Sequence, residues 1–214
     1  MEGTDNSAMR CDDRILHLLF PSVLFTTTTA GIHLTFDDGP HPIATPAVLN
    51  ILRKRNIQAT FFFLGQNVQQ YPDIARQVAS EGHHIGNHSY THANLFFKDE
   101  PFIRKEIIQT EEIFESTLGK RAHYFRPPYG YFNLTILDVV KEIGSTCVLW
   151  DIDSKDYRLT RQLDIERRVL PHATNGSIFL FHDNDATSQK LHTYLPILLD
   201  ILLGKGFVFK LLEP

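Results

Sequence analysis

Two short motifs combine residue types that can do hydrolytic chemistry. Asp37 and Asp38 are adjacent carboxylates that follow an apolar run and precede a Gly-Pro turn, where an ordinary turn needs only one acid. His88 and His92 have the i, i+4 spacing that lets two imidazoles reach one ion if the segment turns helically. One carboxylate can complete a three-ligand set while the other stays free to accept a proton from water. The two motifs together predict a metal site with a spare carboxylate.

Short strands that alternate with helices must position these residues. Apolar runs rich in β-branched or aromatic residues predict strands near 31–36, 57–63, 83–87, 122–125, 145–150, 177–181 and 206–211. The clearest helical pattern begins around Pro101 after Asp99 and stops at Gly119, and another runs from Leu195 to Leu203. Alternation of this kind predicts an α/β fold with a parallel sheet, either open and doubly wound or a (β/α) barrel with fewer than eight strands.

Polar residues follow five of the predicted strands at their carboxyl ends, where both folds place active sites. They are Asp37 and Asp38, His88 and His92, Arg126 and Tyr129, Asp151 and Asp156, and His182 and Asp183. The opposite ends carry ordinary turn residues such as Glu81-Gly82. Each cluster alone can be explained as a polar turn, a helix cap or a core histidine, but their convergence on one rim is harder to explain in that way. We therefore expect one site at the carboxyl end of the sheet.

Five motifs, TFDDGP, HSYTH, RPPYG, WDIDSKDY and LFH, occur in that order between about Gly31 and Leu212. The set resembles the five motifs of the metal-dependent polysaccharide deacetylases, the nodulation-type deacetylase domain of carbohydrate esterase family four. ATFFFLG at 59–65 and the closing LLGKGFVFKLL are also typical of that family. The resemblance implies a distorted (β/α) barrel of about seven parallel strands, similar to a TIM barrel.

The resemblance also implies a ligand set and four catalytic roles. The divalent ion, most often zinc with cobalt or another divalent ion as alternatives, is held by Asp38, His88 and His92. The catalytic residues are Asp37 as general base, Arg126 as the residue that orients it, His182 as general acid and Asp156 as the carboxylate partner of the acid.

Three further residues are implied to contact the substrate. The backbone N–H of Tyr129 helps to stabilise the oxyanion, and Trp150 and Leu180 form walls of the pocket that receives the acetyl methyl group. One position departs from the family pattern, because Tyr157 stands where the fourth motif usually closes with Trp. This departure lies beside Asp156 and the groove wall.

The reaction implied by the resemblance is removal of N-acetyl groups from glycans that contain N-acetylglucosamine, such as peptidoglycan or chitin-type oligosaccharides. O-deacetylation of a xylan-like polysaccharide uses the same machinery and is an alternative. A non-catalytic carbohydrate-binding protein on the same fold is disfavoured, because base, ligands and acid are all present. Metal-dependent phosphoester hydrolysis is disfavoured because the sequence has no Gly-rich phosphate cradle.

Composition excludes several other classes. The chain has 214 residues and a net charge of -4 without a block of like charges, so neither nucleic acid nor a basic membrane patch is indicated. No stretch approaches the roughly 20 apolar residues of a membrane span. We expect a monomer with one sizeable core that acts on a glycan substrate.

Two segments are predicted, an N-terminal extension over 1–30 and a catalytic domain over 31–214. The apolar stretch 15–25 could pass for a signal peptide, but acidic residues precede it, whereas a signal peptide begins with positive charge. We therefore predict a short docking helix there and favour a cytoplasmic location, with secretion or envelope association as the alternatives.

Overall fold

The computed structural model describes residues 18–158 and 161–213, which form one sheet of eight strands with every neighbouring pair parallel. The strands are β1 (Val23–Leu24), β2 (His33–Asp37), β3 (Thr60–Phe63), β4 (His84–Asn87), β5 (Tyr124–Phe125), β6 (Thr146–Val148), β7 (Ile152–Asp153) and β8 (Ile178–His182). Their spatial order is β1-β6-β5-β4-β3-β2-β8-β7, and the sheet curls into a half-barrel. The predicted barrel-like α/β fold is confirmed, with eight strands instead of about seven.

Helices connect the strands and cover the outer face of the sheet. They are α1 (Ala44–Arg53), α2 (Gly65–Gln70), α3 (Pro72–Ser80), α4 (Glu100–Leu118), α5 (Leu134–Glu142), α6 (Gln162–Val169), α7 (Asp185–Ser188) and α8 (Leu191–Gly204). The side chain of Asp99 caps α4 by accepting from the N–H of Phe102 at 3.2 Å, and Gly119 ends it with a φ of 70°. The predicted limits of this helix are confirmed. Within the described residues, no helix is long and apolar enough to cross a membrane.

Side chains alternate between the two faces of each strand, and this alternation separates the core from the site. On the outer face the ring of Phe36 stacks on Phe61 at 5.1 Å and on Phe181 at 5.8 Å, in a cluster shared with the helices. Burial of each such ring contributes about 1.5–3 kcal/mol. Thr35 and Asp37 alternate with Phe36 and therefore point into the half-barrel, where polar groups can gather above a rigid support.

The predicted strand at 206–211 is wrong. Within it only Phe209 forms a bridge, to Ile32, through hydrogen bonds from Ile32 N–H to Val208 O (2.8 Å) and from Lys210 N–H to Ile32 O (3.0 Å). The segment 206–211 pairs with the chain only beside Ile32, just before β2. The alternating exposure of its side chains therefore reflects packing of one face and not strand pairing along its length. The sequence analysis instead missed β1 and β7, whose two residues are too few for a recognisable pattern.

The predicted N-terminal extension is only partly described. Residues 1–17 lie outside the described residues. Of the stretch 15–25 predicted as a docking helix, only Leu18 and Leu19 of the described residues are helical, and both are exposed. The prediction is wrong over 20–25, where the chain turns and forms β1. Val23 and Leu24 pair with Cys147 and Val148, which places them in the main sheet. The boundary at residue 31 and the monomeric state stay predictions.

Candidate active site

Four strands bring polar residues to the carboxyl edge of the half-barrel. Asp37 ends β2 and His182 ends β8, and the two residues are register partners on neighbouring strands. His88 directly follows β4, and Arg126 directly follows β5. The convergence expected from the sequence is therefore present for these residues. It is wrong for Asp151, whose carboxylate accepts from the hydroxyl of Ser177 (2.7 Å) and the N–H of Ile178 (2.6 Å) at the start of β8.

Asp37 is held by a fully buried guanidinium. Arg126 donates to four oxygens, which are Asp37 Oδ1 (2.7 Å), Thr35 Oγ1 (2.7 Å), Val148 O (3.1 Å) and Leu149 O (2.9 Å). Burial lowers the pKa of Arg126, while the adjacent carboxylate of Asp37 opposes that change. Because Oδ1 of Asp37 is engaged by Arg126, its Oδ2 is left facing His88, at 3.7 Å from Nε2.

Asp38, His88 and His92 form a compact donor set. Oδ1 of Asp38 lies 3.5 Å from Nε2 of His88 and 3.2 Å from Nε2 of His92, and the three ligand atoms lie within 4.8 Å of one another. Nδ1 of His88 donates to the backbone carbonyl of Arg126 at 2.7 Å, which leaves the lone pair of Nε2 directed at Asp38. Two imidazole nitrogens and a carboxylate oxygen are donors that divalent transition ions accept.

The protonation states of this donor set suit a cation. Burial raises the pKa of Asp38, but close contact with His88 and the charges of His92 and His182 outweigh it, so its pKa lies well below the usual value. Burial, together with the neighbouring His88 imidazole, lowers the pKa of His92 to about 4. Oδ1 of Asp38 is also a buried oxygen without a hydrogen-bond partner among the described residues. An anionic oxygen and neutral imidazoles are the forms that bind a metal, so the residues fit a divalent ion.

The loop that carries the two histidines is not helical. Residues 88–92 follow β4 as an irregular segment in which Ser89 and His92 have φ values of 67° and 63°, so the helical turn considered from their spacing is not formed. The buried carboxylate of Glu106, on α4, holds the segment: it accepts from the N–H of Tyr90 (3.1 Å), the N–H of Thr91 (2.8 Å) and the hydroxyl of Thr91 (2.9 Å). The two imidazoles converge because of this anchor.

His182 is paired with a buried carboxylate. Nδ1 of His182 donates to Oδ1 of Asp156 at 2.8 Å, and its backbone N–H donates to Oδ2 at 2.9 Å. Burial lowers the pKa of His182, but the hydrogen bond and charge of Asp156, with the charges of Asp37 and Asp38, raise it to about 9. These contacts favour the imidazolium form of His182, with Nε2 free of the Asp156 contact.

The three predicted substrate-contact residues lie around this edge. Tyr129 has φ 63° and ψ 3°, and its ring lies 4.7 Å from that of His92. Trp150 lies over Arg126 at 5.5 Å, and only a glycine fits at position 130, since a Cβ there would be 2.7 Å from Cη2 of the indole. Leu180 is buried on β8, one inward-facing position before His182.

Comparison with known proteins identifies the family. The sequence pattern described as "Polysaccharide deacetylase" matches residues 26–148. The chitooligosaccharide deacetylase of Azorhizobium caulinodans is 38% identical over 169 residues, which cover 78% of this chain and 80% of the relative. The chain belongs to the polysaccharide deacetylase family. Polysaccharide deacetylases are in general dependent on a divalent metal, which agrees with the donor set of Asp38, His88 and His92.

Two further polysaccharide deacetylases are similar to this chain. A peptidoglycan-N-acetylglucosamine deacetylase of Bacillus cereus is 40% identical over 153 residues, which cover 72% of this chain and 56% of the relative, so the chain spans just over half of that protein. The crystal structure of a peptidoglycan N-acetylglucosamine deacetylase superposes with a TM-score of 0.81 at 34% identity, covering 89% of this chain and 91% of the other.

The departure from the polysaccharide deacetylase pattern at Tyr157 leaves the acid pair in place. The ring of Tyr157 lies edge-on against His182, with centroids 5.0 Å apart. Lys155 donates to the hydroxyl of Tyr157 at 3.3 Å, and the Asp156 carboxylate is fully buried against His182. The smaller ring therefore packs on the imidazole without displacing its carboxylate partner.

Besides Glu106, two polar residues support the deacetylase site and were given no role from the sequence. The hydroxyl of Tyr194, on α8, donates to Oδ2 of Asp156 at 2.8 Å. The carboxyl of Asp183 is fully buried against Gly39 and accepts from the hydroxyl of Thr45, and burial raises its pKa well above the usual value. The sequence places Asp183 after its strand but gives it no role, whereas nothing in the spacing points to Tyr194.

Proposed function

We propose that this polysaccharide deacetylase removes N-acetyl groups from glycans that contain N-acetylglucosamine, such as peptidoglycan or chitin-type oligosaccharides, giving acetate and a free amino sugar. The named relatives support this substrate class. The observation that carries the proposal is the opposite pairing of two register partners: Asp37 lies against a guanidinium, and His182 lies against a carboxylate. One residue is thereby suited to take a proton and the other to give one.

Asp37 is the general base in this proposal. Its Oδ1 is fixed by Arg126 at 2.7 Å, and its Oδ2 faces the donor set, where it takes a proton from the attacking water. Arg126 is a positioning residue, because it contacts Asp37 and backbone carbonyls from a fully buried place. The pair keeps the base oriented without exposing it to solvent.

His182 is the general acid. Its Nδ1 is engaged by Asp156, so Nε2 carries the proton that goes to the departing nitrogen. An amine leaves only after its nitrogen is protonated, whereas the alcohol of an ester is a better leaving group. Protonation by His182 therefore matters more for an N-acetyl than for an O-acetyl substrate.

Asp38, His88 and His92 are proposed to hold zinc, with cobalt or another divalent ion as alternatives. Such an ion, when bound, acidifies water and polarises the acetyl carbonyl. The backbone N–H of Tyr129 is proposed to donate to the oxyanion. The next two N–H groups of the turn, those of Gly130 and Tyr131, donate to the carbonyls of Pro127 and Pro128. Trp150 and Leu180 are proposed to form the pocket walls for the acetyl methyl group.

The test is acetate release before and after metal removal. Purified protein, chelated until metal analysis finds no ion, should release no acetate from chitooligosaccharides or peptidoglycan, and added zinc should restore release. His88→Ala and His92→Ala should lose tight zinc binding, whereas His192→Ala, a matched change at an exposed histidine on α8, should retain it. Full activity without metal would contradict the proposal. Release from acetylated xylan alone would reassign the enzyme to O-deacetylation.

A further inference from the structure

The two carboxylate oxygens of Asp38 have different surroundings. Nδ2 of Asn184, two residues after His182, donates to Oδ2 of Asp38 at 2.8 Å. Oδ1 has no hydrogen-bond partner among the described residues, and it lies 3.5 Å from Nε2 of His88 and 3.2 Å from Nε2 of His92. An amide from the loop after β8 therefore engages one oxygen, while the other faces the imidazoles.

The amide of Asn184 is oriented by the start of α7. Asn184 and Thr187 form a capping box there, in which the backbone N–H of Asn184 donates to the hydroxyl of Thr187 at 3.2 Å. That hydroxyl lies 3.5 Å from Oδ1 of Asn184 and donates to the carbonyl of His182 at 2.7 Å. Because the amide oxygen is on the side of Thr187, the Nδ2 donor is the atom directed at Asp38.

The backbone of Asp38 is held on both sides. Its N–H donates to the carbonyl of Phe62 at 3.2 Å, and Nδ2 of Asn67, on α2, donates to its carbonyl at 2.7 Å. Its φ of 79° lies in the left-handed region, where a residue other than glycine persists when the surrounding structure holds it. With the backbone fixed in this way, rotation of the side chain decides which carboxylate oxygen faces His88 and His92.

We propose that Asn184 is a positioning residue that makes Asp38 a metal ligand through Oδ1 alone. This inference rests on the ligand set of the proposed function and adds to it a residue from the loop that carries His182. A carboxylate whose second oxygen accepts a hydrogen bond presents the first oxygen in one direction. Hydrogen-bond partners of metal ligands typically change metal affinity about 10- to 100-fold when they are removed.

The test is the zinc affinity of a variant that keeps the helix cap and loses the amide. Serine caps helices well, but its side chain ends one atom short of Nδ2. Asn184→Ser should therefore raise the Kd for zinc, measured by competition with a chromophoric chelator, about 10- to 100-fold.

Asn133→Ser is the matched control. Asn133 caps α5 by accepting from the N–H of Ile136 at 3.0 Å, and its amide donates to the carbonyl of Phe96 at 3.1 Å. The same change at this cap should keep the parental Kd for zinc. Urea unfolding of both variants after metal removal checks that each of them folds.

The visible spectrum of the cobalt-substituted protein gives a second readout. Its bands report the number and geometry of the ligands, so they should change in Asn184→Ser, where Oδ2 is released, and stay parental in Asn133→Ser. An unchanged Kd for zinc or an unchanged cobalt spectrum in Asn184→Ser would overturn the inference. An equal rise in Kd in Asn133→Ser would assign the effect to helix capping and would overturn it too.

These measurements need no substrate, so they separate the inference from the proposed function. A parent protein that bound zinc and released no acetate would contradict the proposed function, while the Kd for zinc in Asn184→Ser would still decide the role of Asn184. A parent protein that bound no zinc would overturn both.

Discussion

The two sides of the candidate site are both built on a buried ion pair, but with opposite polarity. On one side the carboxylate of Asp37 faces the groove and the cation, Arg126, lies behind it. On the other side the imidazole of His182 faces the groove and the carboxylate of Asp156 lies behind it. The strands that end in Asp37 and His182 are neighbours in register, so the two groups face the same space.

This difference explains how one edge of a sheet can hold a base and an acid at the same pH. The carboxylate behind His182 favours the imidazolium, while the guanidinium behind Asp37 fixes one of its oxygens so that the other faces the donor set. The two sides also differ in support. Arg126 donates to two backbone carbonyls at the end of β6 and to two side chains of β2, whereas Asp156 receives a hydroxyl from Tyr194 on a distant helix. The base side is therefore expected to be the more important for folding.

Removing the cation of the base side should have the largest effect on stability. Arg126→Gln removes the hydrogen-bonded countercharge of the buried Asp37 carboxylate, which should lower the free energy of unfolding by about 3–5 kcal/mol. Arg104→Gln, which removes a surface guanidinium bonded to Glu100 and Glu142, is the control and should leave the free energy of unfolding close to that of the parent protein. Urea unfolding of both variants measures this difference, and equally small losses would show that the buried pair does not support the fold.

Neutralising Asp156, the carboxylate of the acid side, should move the alkaline limb of the pH profile of activity. Asp156→Asn removes the hydrogen bond and charge that raise the pKa of His182, so the alkaline limb of kcat/KM should move to lower pH. The stability that the imidazolium contributes is complete below pH 6.5 and is lost as pH rises through about 9 in the parent protein. Both proteins should be compared with metal bound, because a nearby cation itself lowers this pKa. An unmoved limb would show that Asp156 does not control the acid.

Removing the hydroxyl behind Asp156 should have the smallest effect. Tyr194→Phe takes one donor from the carboxylate and should cost about 1–2 kcal/mol of unfolding free energy. It should leave the alkaline limb at or above its parental pH, since a carboxylate with fewer donors interacts more strongly with the imidazolium. The alkaline limb should therefore move to lower pH in Asp156→Asn but not in Tyr194→Phe. A limb that moved to lower pH in both would contradict the order of contacts from Tyr194 to Asp156 to His182.

The parts of the site that could be predicted from the sequence are those set by local rules. The side chains of β2 alternate between its faces and a polar residue follows its end, and these two rules are enough to put Asp37 at the carboxyl edge of the sheet. The run at 206–211 is equally rich in aromatic and β-branched residues and still forms no strand, because within it only Phe209 finds a partner. Glu106 and Tyr194 have no local signal at all. Their roles arise from how two helices pack against the sheet, which spacing along the chain does not encode.

The division of roles between Asp37 and Asp38 is the central claim, and their asparagine variants test it most directly. Asp37→Asn should retain a full equivalent of zinc and lose turnover by about 10² to 10⁴, the usual contribution of a positioned general base. Asp38→Asn should lose zinc first, with part of the turnover restored when excess zinc or cobalt is added. Metal content and acetate release are measured on both folded variants. Equal loss of metal in both, or parental turnover in Asp37→Asn, would contradict the account.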